Sequence, residues 1–366
     1  MPVLRLVIWV ALLGAMAFPQ GRKPSDAEVQ EVHRSAILID THNDLPTRTV
    51  RGVDIGQRTA SGHTDLVRLR EGGVGAVFFA AYVAAGYAAK NQSAHRALEM
   101  IDSVRRDIVE RYPDDFMLAL RADDIEAAQR KGKIAALIGV EGGHAIENSV
   151  RLLGSYYALG ARYMTLTHVN TNDWADSCGD LKDPKVQHHN GLTELGREVI
   201  AEMNRLGMLV DIAHVSDKTF WDVLEVSRAP IFSSHSSCRA LCEDPRDMTD
   251  EMIRALARKG GVIQINFNPG FLTKRKSPPV NLADVVAHID HAVKLVGVEA
   301  VGIGSDFDGI EQVPVGLEDV SKFPNLTRAL LEKGYSASDI RKIYGGNTLR
   351  LMRAVEAAAR RPGPGS

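Results

Sequence analysis

The sequence predicts a (β/α)8 barrel, also called a TIM barrel, in which eight parallel strands form a ring covered by helices. Eight short, apolar, β-prone segments recur along the 366 residues, and most of the chain between them has the apolar spacing of amphipathic helices. Near-continuous apolar strands are typical of parallel sheets that are buried on both faces. Eight such units close most economically into a barrel.

The predicted strands span residues 36–40, 74–83, 134–140, 162–167, 208–213, 230–233, 261–266 and 300–304. Residues 94–112 and 282–297 have apolar side chains at helical spacing, which predicts helices there. A doubly wound open sheet is the alternative, but no GxGxxG motif follows the first strand. No repeat, low-complexity tract or linker divides residues 34–360, so we expect a single domain.

The N-terminal residues 1–17 predict a secretory signal peptide. Arg5 precedes an apolar run over residues 6–13, and Ala15-Met16-Ala17 supplies an AxA cleavage site. A membrane anchor is the alternative, but this run is short for crossing a bilayer. We therefore expect an exported protein, periplasmic or secreted, with cleavage near Ala17, an N-terminal extension over 18–33 and a tail over 361–366.

Composition excludes some classes of function. The net charge is -2 and no long Lys/Arg run is present, which argues against nucleic-acid binding. Three cysteines are too few for a disulfide scaffold, although Cys238 and Cys242 are close enough in sequence to pair. His288 and His291 lie three apart on a predicted helix, where we expect a surface pair.

Metal-ligating residues follow the predicted strands. Side chains at the C-terminal ends of barrel strands line the active site. Each residue alone has an ordinary interpretation as a cap or hydrogen-bonding group, but four of the 12 histidines fall at these ends. The clustering predicts a metal site. The residues, in strand order, are His42 and Asp44, Glu141, His168, His214, His235, and Asp306 with Asp308 close behind it.

Imidazole and carboxylate groups without cysteine suit Zn, Mn or Fe, and neutral imidazole favours Zn. His42 and Asp44 lie two apart, so on an extended chain they point to the same side and can bind one ion. His214 and His235 come from adjacent strands and can bind a second. Glu141 has two oxygens and can bridge two metals that lie about 3.5 to 4 Å apart.

Eight motifs give the chain its resemblance to a known family. They are "DTHNDLP", "GVEGGHAIEN", "YMTLTHVNTNDWADS", "DIAHVS", "FSSHSSCRAL", "GIGSDFDGI", "GLEDVSKFPNLTRALLEKGYS" and "GGNTLRLMRAVE". Together and in this order they resemble the membrane (renal) dipeptidase family, exported zinc dipeptidases of the amidohydrolase superfamily. The resemblance covers nearly all of the chain after the predicted signal peptide.

The resemblance implies two Zn²⁺ ions and a role for each site residue. His42 and Asp44 would bind one zinc ion, His214 and His235 the other, and Glu141 both. His168 and Arg246 would contact substrate, and Asp306 would contact it and transfer the proton, with Asp308 as the alternative proton carrier. The lipid-anchor tail and disulfide pattern of the vertebrate members are missing, so we expect no stable membrane anchor and no disulfide-linked dimer; a homodimer stays open.

The predicted function is a binuclear zinc dipeptidase that hydrolyses L-Xaa-L-Xaa dipeptides, with L-Xaa-D-Xaa as a further substrate class, by attack of a metal-bound hydroxide. His168 would stabilise the oxyanion, and the planar fork of Arg246 suits a terminal carboxylate. One alternative is a related metal-dependent amidohydrolase that acts on a non-peptide amide, lactam or N-acyl amino acid. Another is an exported binding protein on a decayed barrel, although every ligand position is filled.

Overall fold

The computed structural model describes residues 23–277 and 279–359. Within these ranges the strands form one parallel sheet, and its main path runs β1-β2-β4-β5-β6-β7-β8-β9. The strands are β1 Leu38–Asn43, β2 Val74–Tyr82, β3 Phe116–Leu118, β4 Ile134–Glu141, β5 Ala161–Thr165, β6 Leu209–Asp211, β7 Phe232–Ser236, β8 Val262–Ile265 and β9 Val301–Ile303. Each predicted strand overlaps one on this path, which confirms the (β/α)8 barrel.

The ring closes between β9 and β1. The main-chain N–H of Asp306 donates to His42 O at 3.0 Å, and that of Asp44 donates to Phe307 O at 2.8 Å. The Thr41 hydroxyl also donates to Ile303 O at 3.0 Å. These bonds lie at and just beyond the C-terminal ends of the two strands, so the closing contacts lie next to the predicted ligands.

Strand β3 was not predicted. It pairs with the first residues of β4, Phe116 opposite Ile134 and Leu118 opposite Ala136, whereas β5 pairs with β4 only from Ile138 onward. The two strands therefore share one edge of β4. Three residues are too few to produce a recognisable periodicity, so the sequence carries little signal for this strand.

Helices separate the barrel strands. Helices α7 (Glu194–Leu206), α8 (Asp217–Val226) and α9 (Asp250–Arg258) follow strands β5, β6 and β7. Their N-cap side chains, Thr193, Ser216 and Thr249, accept bonds from main-chain N–H groups of the first turn. The predicted helix 94–112 is α4 continued by a π-helix, Val104–Glu110.

The α-helices are α1 Asp26–Arg34, α2 Pro46–Thr49, α3 Leu66–Glu71, α4 Ser93–Ser103, α5 Ala122–Arg130, α6 Val150–Leu159, α7 Glu194–Leu206, α8 Asp217–Val226, α9 Asp250–Arg258, α10 Pro269–Leu272, α11 Leu282–Val296, α12 Phe323–Lys333, α13 Ala337–Arg341 and α14 Asn347–Ala359. Short 3₁₀ segments span Ala85–Lys90, Gly143–Ile146, Val298–Ala300 and Val320–Lys322, and a second π segment spans Lys342–Gly346.

Large aromatic rings fill the barrel interior. Tyr163 on β5 lies 5.3 Å from the ring of Phe78 on β2 and 5.6 Å from that of Phe232 on β7. These strands are not neighbours in the sheet, so the contacts cross the inside of the ring. Gly139 makes room for them, because a Cβ there would lie 1.9 Å from Tyr163 Cζ.

The structure answers one open question about the cysteines and corrects one prediction about the histidines. Cys178, Cys238 and Cys242 are all free thiols in the structure, so Cys238 and Cys242 do not pair. The surface-pair interpretation is wrong for His288, which is buried and bonds to Cys238 N and Leu272 O. His291 instead contacts Asp250 at 2.7 Å.

Among residues 23–277 and 279–359, no helix combines the length and apolarity needed to cross a bilayer. The predicted signal peptide, residues 1–17, lies outside this part of the chain. The prediction of a single domain over 34–360 stays a prediction.

We expect Gly304→Ala to destabilise the barrel. Its new Cβ would lie 1.8 Å from Ser234 O, a main-chain atom that cannot rotate away. Such overpacking costs about 1–3 kcal/mol or more. Gly154→Ala on α6 is the matched control: its Cβ meets nothing within 4 Å, and it should stabilise the protein by about 0.5–1 kcal/mol. Urea unfolding of both variants measures this, and equal stability would contradict it.

Candidate metal centre and active site

The five predicted metal ligands converge at the C-terminal end of the barrel. Nε2 of His42 lies 3.2 Å from Asp44 Oδ2 and 3.5 Å from Glu141 Oε2. On the other side, Glu141 Oε1 lies 3.2 Å from Nε2 of His214 and 3.5 Å from Nε2 of His235. Each oxygen of Glu141 thus faces a different ligand pair, which is the arrangement of a bridging carboxylate.

Local backbone geometry places these groups. His42 and His235 lie within β1 and β7, and Glu141 is the last residue of β4. The strands β1 and β7 each extend three residues beyond their predicted ends, so these two histidines belong to the sheet and do not follow it. His214 and Asp306, by contrast, follow their strands with φ of +68° and +65°. Non-glycine residues rarely adopt this left-handed conformation, and it concentrates at functional sites.

Gly309 allows the main chain to approach the carboxylates. A Cβ at this position would lie 2.3 Å from Asp44 Oδ2 and 2.6 Å from Asp306 Oδ1. Any larger residue would push apart two acidic groups from opposite sides of the β9–β1 closure. The requirement for glycine here is steric, since its φ is not positive.

Three of the predicted ligands, His214, His235 and Glu141, are in the charge state that binds a metal ion. Burial, reinforced by the positive charge of Arg246, holds the pKa of His214 and of His235 well below the ordinary value, so both imidazoles are neutral. Burial alone would raise the pKa of Glu141, but the positive charge of His42 holds it well below its usual range. Against the effect of its own burial, Tyr163 and Glu141 raise the pKa of His42 well above the ordinary value, so His42 must release a proton when a metal ion binds. Neutral imidazole and ionised carboxylate are the forms that bind metal ions.

Unmet bonding capacity also points to a cation. Nε2 of His42 is buried and has no hydrogen-bond partner. Nε2 of His214 and Nε2 of His235 lie 3.0 Å apart, so one neutral ring can donate to the other and both nitrogens face the same space. Burial raises the pKa of Asp44 to about 6. Nitrogen and oxygen donors that crowd together in this way fit a divalent ion such as Zn²⁺, and their ligand atoms lie within 4.8 Å of one another in the groups His42/Asp44/Glu141 and Glu141/His214/His235.

The two candidate proton carriers differ in position. A carboxylate oxygen of Asp306 lies within 4.8 Å of ring nitrogens of His42 and His235. Its Oδ2 accepts a hydrogen bond from Asn266 at 3.0 Å. Burial raises the pKa of Asp306 to about 7. Asp308 also borders the cavity, but its Oδ1 accepts from His63 N at 2.8 Å and from the Arg48 guanidinium at 3.4 Å. Asp306 is therefore the carboxylate beside the metal ligands.

His168 borders the same cavity as the metal ligands. Its Nε2 lies 4.0 Å from Glu141 Oε1, and its ring packs edge-on against Tyr82 at 4.9 Å. Burial lowers the pKa of His168, so the ring is neutral and carries one N–H. A neutral imidazole in this position can donate a hydrogen bond to a group bound between it and the metal ligands.

Arg246 lies behind the ligands. Its guanidinium donates to His235 O at 2.5 Å and to Ser236 Oγ at 2.7 Å, and its Cζ lies 5.6 Å from the Phe271 ring. Nε of Arg246 has no hydrogen-bond partner. The charge is close enough to lower the pKa of His168. The structure thus brings Arg246 to the edge of the site, although its two terminal nitrogens are already bonded to the chain.

A cavity of about 330 Å³ opens over these groups, a volume at the lower end for small-molecule sites. The sequence did not single out its uncharged lining. Tyr82 is the last residue of β2, so extending the strand-end criterion beyond ionisable residues would have found it. Others, such as Phe271 on the short helix α10, lie away from the strand ends and had no signal. The uncharged lining residues are Thr47, Tyr82, Val169, Asn268, Phe271, Gly309 and Ile310.

Asp40 on β1 helps to hold the barrel closed. It is fully buried, and its carboxylate accepts from Ser305 N at 2.8 Å and from Ser305 Oγ at 2.6 Å. Ser305 immediately precedes Asp306, so this contact fixes the chain from which Asp306 projects.

The fold and the site define a class, the metal-dependent hydrolases built on a (β/α)8 barrel. Comparison with known proteins specifies the family: the chain belongs to the membrane dipeptidase family (peptidase family M19), whose model matches residues 26–363. The protein is accordingly a metal-dependent dipeptidase.

Individual relatives agree with this assignment. An uncharacterized dipeptidase of Schizosaccharomyces pombe is 39% identical over 348 residues, which is 90% of this chain and 83% of the relative. A metallopeptidase from Rhodobacter sphaeroides, solved with a phosphinate mimic of L-Ala-D-Ala, is 29% identical with a TM-score of 0.79, covering 87% of this chain and 99% of that one. The probable dipeptidase PvdM from Pseudomonas aeruginosa has the same fold, with a TM-score of 0.82 at 24% identity, covering 91% and 98%.

We expect zinc to raise the melting temperature of metal-free protein, because bound cations would neutralise the crowded carboxylates. At free zinc a thousandfold above Kd, ligand binding stabilises by about 4 kcal/mol. Glu141→Gln should remove most of this shift. Glu225→Gln, which removes one exposed carboxylate on α8, is the control and should retain the shift. Differential scanning calorimetry with and without zinc measures it; an unchanged shift in Glu141→Gln would contradict the bridging role.

Proposed function

We propose that this protein is a binuclear zinc dipeptidase that hydrolyses L-Xaa-L-Xaa and L-Xaa-D-Xaa dipeptides. The observation that carries the proposal is the position of Glu141, whose two oxygens face two separate ligand pairs. The R. sphaeroides metallopeptidase, which binds a mimic of L-Ala-D-Ala, supports the extension to L,D dipeptides.

His42 and Asp44 would hold one ion, His214 and His235 the other, and Glu141 would contact both. Divalent ions at such a centre supply Lewis-acid polarisation of a carbonyl and acidify water near neutral pH. The protein contributes fixed imidazoles, those of His214 and His235 neutral, and a buried setting in which electrostatic interactions are strong.

Asp306 is proposed to move the proton. Hydrolysis joins a water oxygen to the peptide carbon and breaks the C–N bond, and the departing nitrogen must be protonated as it leaves. Asp306 would accept the proton that the attacking water releases and deliver it to that nitrogen. Its Oδ2 is bonded to Asn266, whereas Oδ1 lies on the side of Gly309 and the cavity.

His168 is proposed to stabilise the oxyanion. Charge develops on the carbonyl oxygen as the tetrahedral centre forms, and a positioned N–H donor lowers the energy of that state. His168 is neutral, borders the cavity and lies across from Glu141 at 4.0 Å. It is therefore placed to donate to an oxygen held beside the metal ligands.

Arg246 is proposed to attract the terminal carboxylate of the substrate. Its charge sits behind His235 and Phe271 in the cavity wall. With both terminal nitrogens bonded to the chain, it would act as a fixed positive charge. A small cavity and a fixed charge at one side together favour substrates of two residues.

The sequence supports one further proposal. The signal pattern over residues 1–17 supports export and cleavage near Ala17, which would place the enzyme in the periplasm or outside the cell.

We expect Asp306→Asn to lower kcat by about 10²- to 10⁴-fold, the usual contribution of general acid–base catalysis. Zinc content, measured by atomic emission, should stay at the wild-type value. Asp308→Asn is the matched comparison and should lose less, because its carboxylate bonds to His63 and Arg48. Full activity in Asp306→Asn, or a larger loss in Asp308→Asn, would reject the assignment.

The function itself is tested by metal analysis coupled to a substrate panel. We expect two zinc ions per chain and hydrolysis of L,L and L,D dipeptides, with no cleavage of a matched tripeptide. N-acyl amino acids and lactams belong in the same panel. Preference for those compounds would replace the dipeptide assignment with the related amidohydrolase, and zinc-loaded protein that cleaves nothing would reject both.

A further inference from the structure

Asp211, the last residue of β6, is a buried carboxylate that the proposed reaction does not use. Its Oδ1 accepts main-chain N–H bonds from Ala213 at 3.1 Å and Ser234 at 2.8 Å. Its Oδ2 accepts hydroxyl bonds from Thr165 at 2.5 Å and Ser234 at 2.6 Å. The two N–H groups can only donate, and an ionised carboxylate accepts all four bonds without a proton of its own.

Ser234 connects this carboxylate to a metal ligand. Its Oγ also lies 2.7 Å from Nδ1 of His235. A serine hydroxyl has one hydrogen, and here that hydrogen is given to Asp211. The oxygen can then only accept from the imidazole, so Nδ1 of His235 carries the ring proton. Nε2, which faces Glu141, is left with a free lone pair.

A second Asp–Ser pair, on the other side of the barrel, makes similar hydrogen bonds but does not contact a histidine ring. Asp40 holds Ser305 through the same two contacts, a main-chain N–H and a hydroxyl. The hydroxyl of Ser305 contacts only Asp40 and main-chain atoms of His42 and Phe307. Both pairs fix a strand end, but only the Asp211–Ser234 pair also touches an imidazole.

We propose that Asp211 and Ser234 are positioning residues that set the tautomer of His235, with the proton on Nδ1 and Nε2 available to the metal. The inference rests on the proposed function, since it requires His235 to be a ligand. Metal-bound histidines usually donate their second N–H to an acceptor that fixes ring orientation and raises ligand basicity, and loss of such an acceptor typically lowers metal affinity 10- to 100-fold. Here the carboxylate of Asp211 orients the Ser234 hydroxyl, and the hydroxyl oxygen accepts the hydrogen bond from the His235 ring.

Asp211→Asn separates this role from a purely structural one. Because Oδ1 accepts two main-chain bonds, the amide oxygen should occupy that side and the NH₂ group should face the hydroxyls of Ser234 and Thr165. Ser234 would then donate to Nδ1 of His235 and move the ring proton to Nε2. We expect affinity for the second zinc ion to fall about 10- to 100-fold. Urea unfolding of the metal-free variant reports separately the stability lost when neutral bonds replace charge-assisted ones.

Ser234→Ala and Thr165→Val form a matched pair. Each removes one hydroxyl that donates to Asp211 Oδ2, but only Ser234 contacts His235. Chelator competition with zinc, and the visible absorption of the cobalt-substituted protein, should show a loss of about tenfold or more in Ser234→Ala and little change in Thr165→Val. A structural role alone would affect both variants alike.

The outcomes separate the two proposals. Wild-type protein that binds fewer than two zinc ions would reject the binuclear centre. Two ions in the wild type with unchanged affinity in Asp211→Asn and Ser234→Ala would overturn only the tautomer assignment, as would an equal loss in Thr165→Val. Should a variant fail to fold, ¹⁵N-histidine NMR of the metal-free wild type decides: a proton on Nδ1 of His235, assigned with His235→Gln, supports the inference, and a proton on Nε2 overturns it.

Discussion

The structure depends on one buried carboxylate. Glu141 lies at the end of β4 with imidazoles on both sides. A charge removed from water is costly unless surrounding groups compensate for it, so the barrel must bring compensating side chains from several other strands to this point. The left-handed conformations of His214 and Asp306 and the close approach of Gly309 are consequences of that convergence. The strained backbone at His214 and Asp306 persists because the packed barrel around these residues fixes their conformation.

The sequence predicted the features that follow from periodicity and from strand ends. Apolar runs located every barrel strand, and their polar termini located His42, Glu141 and His235, because parallel strands in a barrel place their C-terminal ends together. The rest depends on contacts that no local pattern encodes. Tyr163 reaches His42 from across the barrel at 2.9 Å, and β3 is too short to leave a signal. The positions that motif resemblance supplied, such as Arg246, lie on loops whose path the sequence alone does not fix.

Two buried aspartate–serine pairs support the metal centre. Asp40 and Asp211 each bind a serine that immediately precedes a site residue, Asp306 in one case and His235 in the other. Buried carboxylates that accept both main-chain and hydroxyl bonds fix the strand ends more firmly than the ladder alone, since charge-assisted bonds are the stronger kind. Precision in the site thus derives from buried polar contacts below it, while the loops above it carry the apolar surfaces of the cavity.

The closure of the barrel between its first and last strands determines when the site can form during synthesis. His42 and Asp44 lie on the first strand, and Asp306 follows the last, so the two sides meet only across the β9–β1 closure. A ribosome must have completed nearly the whole polypeptide before these groups can come together. An unfinished or partly degraded chain would hold an incomplete set of them. Under the proposed function, a chain that ends before residue 306 would therefore lack the carboxylate that moves the proton.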